Sequence, residues 1–230
     1  RNETKKCFVL KADIKQYFEN VDIPILVKII EKKIRDPKVM WLVKVILINY
    51  KGDKPRKGMP LGNLTSQFFA NVYLNELDQY VKHQLKVKYY IRYVDDFVIL
   101  HNNKYALEKD KEEISIFLKK SLNLELHPNK SKIILLKRGV NFLGFRIFPW
   151  HKLIRKSNLQ KYLRKIEEYK ESYKEGIIDY DQVYNSFQGW QGYVNQGDTY
   201  KLRNKVREKI QLYFPNEVAT AEISPFVKFT

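Results

Sequence analysis

Three aspartates have the residue type and the surroundings for metal-assisted phosphoryl chemistry. Asp13 ends a mostly apolar run over residues 7–12, as expected of a buried strand that carries a carboxylate at its tip. Asp95 and Asp96 separate two further apolar runs, 89–94 and 97–101, which reads as a hairpin with two acids at its turn. Where such strands neighbour one another in a sheet, the carboxylates converge at one edge. Converging carboxylates bind hard divalent cations. Mg2+ takes oxygen ligands, keeps several waters and is held by one or two carboxylates plus substrate phosphates. Two such ions, about 3.5 to 4 Å apart, clamp the attacking and leaving oxygens of a phosphoryl transfer. An Asp-Asp pair alone is ordinary turn chemistry in most proteins, so the weight falls on the sequence around it.

The elements that would position these acids follow from periodicity and punctuation. Asp22 before Pro24, and Asp36 before Pro37, read as helix N-caps with proline in the first turn. The segment 51–62, rich in Lys, Gly and Pro, reads as a basic loop. A helix is expected over 64–85 with Phe68, Val72, Leu77 and Val81 on its apolar face. A further helix is expected over 105–122, with strands at 124–126, 133–136 and 141–148. After Pro149 the pattern is helical throughout (159–173, 181–196, 199–212), which places a domain boundary at 149–156. The fold class expected is α+β: residues 1–150 as an antiparallel sheet with packed helices, and 151–230 as a helical domain.

Composition names the kind of partner. The 230 residues carry 43 Lys and Arg against 26 Asp and Glu, a formal charge of +17, and 29 of those bases stand against 16 acids in residues 1–150. Such a surface attracts polyanions. A strongly basic chain that nevertheless gathers acids at strand ends has a reason to hold them there. The single cysteine, Cys7, excludes an internal disulfide and a Cys-rich zinc site. No apolar run reaches the ~18 residues of a membrane span, because Lys44 interrupts the stretch 41–48. The expectation is a soluble, cytoplasmic protein with no membrane association.

The sequence around the acids resembles the reverse transcriptases. Tyr93-Val94-Asp95-Asp96 resembles the family's signature, and other blocks occur in its order: Asp13 to Phe18 (DIKQYF), Gly58 to Gln67 (GMPLGNLTSQ), Leu124 to Lys132 (LELHPNKSK) and Phe142 to Phe145 (FLGF). The resemblance implies a polymerase palm followed by a helical thumb, with the N-terminal fingers largely absent. It implies that Asp13 and Asp95 hold two Mg2+ ions, for which Mn2+ can substitute, with Asp96 as third carboxylate and the Ile14 carbonyl as a further ligand. Lys130 matches the lysine that protonates or neutralises the leaving pyrophosphate. Ile14, Lys15, Gln16, Tyr17 and Phe18, with Leu61, Gly62, Ser66 and Gln67, fall in the motifs that meet the deoxynucleoside triphosphate. Phe18 matches the steric gate, whose ring leaves no room for a 2′-hydroxyl. Lys51, Lys54, Arg56 and Lys57 are candidates for phosphate contacts. Phe142, Leu143 and Gly144 match the primer-positioning motif, although Phe142 and Leu143 read equally well as strand core.

The second block departs from the commoner family pattern: Leu61 stands where Gln is usual and Gln67 where Pro is usual. Leu61-Gly-Asn-Leu-Thr-Ser-Gln67 resembles the diversity-generating retroelement enzymes, which copy a template RNA into cDNA with errors opposite adenine. The stretch Asn71 to Asp78 (NVYLNELD) also resembles that subgroup. That resemblance implies template RNA, primer and cDNA as partners, a small basic accessory protein, and a bacterial or phage source. Retron, abortive-infection and group II intron enzymes are the competing subtypes, and a non-catalytic RNA-binding scaffold is the competing class.

Overall fold

In the computed structural model, which describes residues 6–49, 55–60 and 62–223, β1 (Phe8–Asp13) runs through the middle of a four-stranded sheet. The order is β2 (Tyr89–Tyr93), β3 (Asp96–His101), β1, β4 (Lys132–Leu135), and every pairing is antiparallel. Side chains alternate across a strand, so Leu10, Ala12 and Ile14 share one face with Phe97 and Ile99. That face is buried beneath α2 (Ile23–Glu31), α4 (Leu64–Gln79) and α5 (Lys104–Leu122), which contribute Leu26, Ile29, Tyr73, Leu77, Ile114 and Leu118 to one core. The opposite face carries Lys11, Asp13 and Asp96.

The helix starts follow their sequence signals. The Asp22 side chain accepts from the Ile25 N–H, and Asp36 accepts from the Lys38 and Val39 N–H groups at the head of α3 (Pro37–Ile48). These caps satisfy donors that a helix start otherwise leaves unpaired. The buried face of α4 differs from the one expected at Phe68. Leu77 and Val81 are buried, but Phe68 is 64% exposed, because Phe69, Ala70, Tyr73 and Leu74 turn inward instead. The helix then continues as a π-helical turn over Tyr80–Gln84. The strand expected at 124–126 is a single bridge, Ile14↔Leu126, with Leu124 buried in the core.

The chain divides into two compact units, the first ending at Arg138 and the second beginning at Gly139. The boundary expected at 149–156 thus falls inside the second unit. There β5 (Val140–Phe142), β6 (Phe145–Ile147) and β7 (Lys152–Ile154) form an antiparallel sheet. β7 corrects the all-helical reading after Pro149, since three residues are too few to display an alternating pattern. The sheet is tied to the helices that follow. The Asp198 N–H donates to the Lys152 carbonyl, and the Lys152 N–H donates to the Asp198 carboxylate. The helices α6 (Lys156–Lys174), α7 (Tyr180–Val194), α8 (Tyr200–Tyr213) and α9 (Thr220–Ile223) complete this unit. Its core stacks Tyr162 on Trp190 at 4.5 Å and 5° between planes, with Ile166, Phe187 and Ile210 around them.

Candidate active site

The register of β1 against β3 brings the acids together. Asp13 is the cross-strand partner of Asp96, and directly opposed residues of an antiparallel pair project from the same face with Cβ atoms about 5 Å apart. Lys11, two residues before Asp13, lies on that face too. Its Nζ is 3.1 Å from Asp96 Oδ1, an ion pair that gives Asp96 its own counter-charge. Asp95 is not in a strand: with Val94 it forms the two-residue turn between β2 and β3, so the hairpin holds one acid at its turn and the other at the head of β3.

That turn is held from the side. Val94 adopts φ 56°, a left-handed conformation that is strained for a β-branched residue. The Arg92 Nη1 donates to the Val94 carbonyl at 2.8 Å, while Nε and Nη2 of the same guanidinium donate to the Asp78 carboxylate on α4. The Tyr90 hydroxyl donates to Asp78 as well, and Arg92 also reaches Asn71. The block 71–78 therefore carries the two residues that anchor Arg92.

The segment 127–131 closes the other side of Asp13. The His127 N–H donates to the Asp13 carbonyl at 2.7 Å. The Ser131 hydroxyl lies 3.4 Å from both the Asp13 N–H and its carbonyl. Lys111 on α5 donates to the Ser131 carbonyl at 2.8 Å. The loop so fixed places Lys130 Nζ 3.4 Å from both carboxylate oxygens of Asp13. Ile14 contributes through its backbone. The Lys15 N–H donates to Glu125 and the His127 N–H to Asp13, so the odd-numbered residues of this strand bond toward 125–136. Backbone groups alternate sides along an inner strand, which turns the Ile14 carbonyl toward β3 and Asp95.

The electrostatics match the geometry. Burial pushes the Asp95 carboxyl above the usual carboxylate range, and the charges of Asp13 and Asp96 add to the shift while Lys130 opposes it. Asp96 is pushed up chiefly by burial, against the pull of Lys11. Among the described residues, no three His, Cys, Asp or Glu side chains stand close enough together to hold a metal alone. The candidate donor set is two carboxylates, Asp13 and Asp95, and a carbonyl, all hard oxygens, while Asp96 is engaged by Lys11. It fits a cation that keeps waters and takes its remaining ligands from phosphates, and it lacks the nitrogen and sulfur donors of a structural zinc site.

The other candidates are placed as follows. Gln16, at φ 45°, and Lys15 are exposed just beyond β1. Tyr17 is a core residue whose hydroxyl donates to the Ala70 carbonyl, so only its backbone is left to face a ligand. Phe18 is half-buried, packs edge-on against Tyr17, and accepts the Met59 N–H at its carbonyl. Gly62 has φ 85° and open space where a Cβ would stand. Ser66 is buried and Gln67 exposed, both in the first turn of α4. Arg56 is exposed, and Lys57 is half-buried opposite Asp22. Lys51, Lys54 and Leu61 lie outside the described residues. In the second unit, Phe142 is strand core, Leu143 is exposed at the tip, and Gly144 completes the turn at φ 83°. A Cβ on Gly144 would stand 2.0 Å from the Tyr193 hydroxyl, so only glycine fits. Sequence reasoning did not find Lys11, Arg92, Asp78 and Ser131. Of these only Lys11 carried a local signal, its two-residue spacing from Asp13.

Comparison with known proteins bears on this arrangement. Residues 1–147 match the family described as Reverse transcriptase (RNA-dependent DNA polymerase). The chain is similar to Protein YkfC of Escherichia coli K12, 29% identical, with 67% of this chain and 49% of YkfC covered. It is also similar to the group II intron-encoded protein LtrA of Lactococcus lactis, 25% identical, with 60% and 34% covered. The chain thus spans about half or less of these relatives. Among solved structures, apo telomerase from Candida tropicalis superposes with a TM-score of 0.51 at 15% identity, over 64% of this chain and 33% of that one. Telomerase from Candida albicans with a fragment of telomeric RNA gives 0.51 at 12%, over 66% and 31%. At such identities the likeness is one of fold, that of a polymerase palm and thumb. No helix among the described residues is long and apolar enough to cross a membrane. With the family pattern matched across more than half of its length, the chain belongs to the reverse transcriptase family.

Proposed function

We propose that the chain carries the nucleotidyl-transfer centre of an RNA-directed DNA polymerase. The observation that supports it best is the cross-strand pairing of Asp13 with Asp96 at one sheet edge, which brings Asp95 in the adjoining turn beside them, with Lys130 in reach of Asp13. Asp13, Asp95 and the Ile14 carbonyl would hold the divalent ions, Mg2+ or Mn2+ in its place, and Asp96 serves the site through its pair with Lys11. Bound there, such ions stabilise charge on the attacking 3′-oxygen and the leaving phosphate oxygen. Lys130 exchanges Asp13 for the departing pyrophosphate, to which it supplies positive charge or a proton. Phe18 excludes the 2′-hydroxyl and so selects deoxynucleotides. Lys51, Lys54, Arg56 and Lys57 contact phosphates of the nucleic acid, and Phe142, Leu143 and Gly144 position the primer end.

The subtype read from Leu61 to Gln67 is that of a diversity-generating retroelement, acting with a small basic accessory protein. Replacing a glutamine by an apolar leucine near the nucleotide removes a polar contact of the kind that rejects a wrong partner. A second reading, a group II intron type enzyme, is favoured by the similarity to LtrA. Primer extension on an RNA template with deoxynucleotides, with the products sequenced and Asp95→Ala run beside wild type, tests both. Errors concentrated opposite template adenine support the retroelement reading, and accurate copying favours the intron type. RNA binding without any extension would sink the polymerase.

A further inference from the structure

The two directly opposed acids, Asp13 and Asp96, each have a lysine of their own, and the two lysines are held differently. Lys130 stands on the 127–131 loop, 3.4 Å from Asp13, with 56% of its side chain exposed. A long, solvated side chain on a loop is free to leave its carboxylate when an ion arrives there. Lys11 stands inside β1, an inner strand of the sheet, opposite Val98, which makes Asp96 its diagonal neighbour on β3. Long side chains span that diagonal. Its Nζ lies 3.1 Å from Asp96 Oδ1, with only 23% and 24% of the two side chains exposed. Opening so enclosed a pair is costly, because it leaves a partly buried carboxylate without its counter-charge. Asp96 is thus committed to Lys11 in a way that Asp13 is not committed to Lys130. Asp95 makes no ion pair among the described residues.

We infer that Lys11 is a positioning residue that withholds Asp96 from the divalent ion, so that the ion meets two carboxylates rather than three. The inference rests on the proposed role of Asp13 and Asp95 as the ion's ligands. For a hard cation on oxygen donors, the number of charged ligands tunes the affinity. Two carboxylates and a carbonyl hold such an ion loosely until phosphate oxygens complete its shell. A third carboxylate would hold it firmly without nucleotide. Lys11 therefore sets how strongly the site depends on the nucleotide to bind its ion.

The test measures Mn2+ binding to the full chain, without nucleotide or RNA, by electron paramagnetic resonance of the free ion. Lys11→Met keeps the apolar stem and removes the charge. It should bind Mn2+ about tenfold or more tightly, through one more charged ligand. Water-proton relaxation should then show one water fewer on the bound ion, its place taken by Asp96. Lys11→Arg, which keeps a charge-assisted pair, should stay within about threefold of wild type. Lys132→Met removes an exposed lysine directly across from Lys11 on β4, and should also stay within about threefold, since exposed charges are screened. Adding Asp96→Asn to Lys11→Met should abolish the gain, a coupling that independent sites do not show. Lys11→Gln, which still donates to Asp96, carries the same comparison where Lys11→Met does not fold. Equal tightening in Lys11→Met and Lys132→Met would reduce the effect to the charge of the sheet face and overturn the inference. Tighter binding with an unchanged water count, a gain that survives Asp96→Asn, or no gain at all would overturn it too. Primer extension by wild type is scored separately. Tightening through Asp96 in a chain that cannot extend a primer upholds the role of Lys11 and removes the polymerase reading, and extension without any tightening does the reverse.

Discussion

Arg92 ties Asp78 to the backbone of Val94: one guanidinium binds the helix carboxylate through two nitrogens and the turn carbonyl through a third, at 2.8 Å. The turn that presents Asp95 is thereby fastened to α4 and through it to the core. Arg92→Ala leaves Asp78 partly buried without its counter-charge, with only the Tyr90 hydroxyl still donating to it. A fully buried pair broken this way costs ~3–5 kcal/mol, and with Asp78 partly exposed about 2 kcal/mol is expected in urea unfolding. Turnover should fall more than RNA affinity. Arg92→Lys should restore little, because an ammonium cannot bind in two directions at once. Full activity in Arg92→Ala would remove this positioning role.

Removing a carboxylate should abolish chemistry and leave binding. Metal stabilisation is worth several kcal/mol in such a reaction, and each 1.36 kcal/mol is tenfold in rate. Asp13→Asn and Asp95→Asn are therefore each expected to lower extension on the order of 10³-fold or more. Affinity for a template-primer, measured by filter binding without nucleotide, should change by no more than a few-fold. A variant retaining a tenth of wild-type extension would contradict the assignment.

The raised carboxyl of Asp95 gives a stability signature with a definite sign. Burial, then Asp13, disfavour its charged form in the folded chain. The folded group therefore holds its proton to a higher pH than the unfolded one. Its contribution is most favourable below the unfolded value and is lost as pH rises through the folded value. Asp95→Asn should accordingly raise the melting temperature at pH 7 in metal-free buffer and lose that advantage in acid, below the ordinary carboxylate range. Melting curves at both pH values decide it, and an advantage that grows on acidification would reverse the sign.

Phe18→Ala should admit ribonucleotides. Size discrimination in an apolar pocket is worth about 10- to 200-fold, so the preference for deoxynucleotides should narrow by a factor in that range. Single-nucleotide incorporation kinetics with dATP and ATP would show it. An unchanged ratio would mean that Phe18 is only the half-buried core residue that its contact with Tyr17 allows.

Tyr17→Phe tests whether Tyr17 acts through the core. Its hydroxyl donates to the Ala70 carbonyl at 2.6 Å in a buried setting. Leaving that carbonyl unpaired should cost ~1–3 kcal/mol of stability, with nucleotide KM unchanged. A raised KM at unchanged stability would give Tyr17 back to the nucleotide.

Much of the candidate site is legible in the sequence because its residues announce themselves locally. Asp22 and Asp36 cap helices through contacts two or three residues away, and the acids at 13, 95 and 96 sit where apolar runs end. What could not be read depends on register. Lys11 meets Asp96 across 85 positions only because β1 pairs with β3 at Asp13↔Asp96, and a slip of one residue would turn Lys11 to the other face. Arg92 and Asp78 look like ordinary surface charges until β2 lies along α4. Leu77 and Val81 of α4 lie on the face expected of them, and Phe68 alone turns out to solvent, since a step of about 100° per residue carries Phe68 out as it brings Phe69 in. β7 and the bridge at Leu126 are too short for any periodic signal.

Val94 has one more consequence, for anyone who would engineer this chain. A β-branched residue held left-handed carries strain of order 1–3 kcal/mol, and asparagine or glycine at that position would relieve it. Stabilising replacements of this kind are easy to find and tend to reduce function where strain sets geometry. A selection for thermal tolerance alone would reach position 94 early and would trade away the rigidity with which Asp95 is presented.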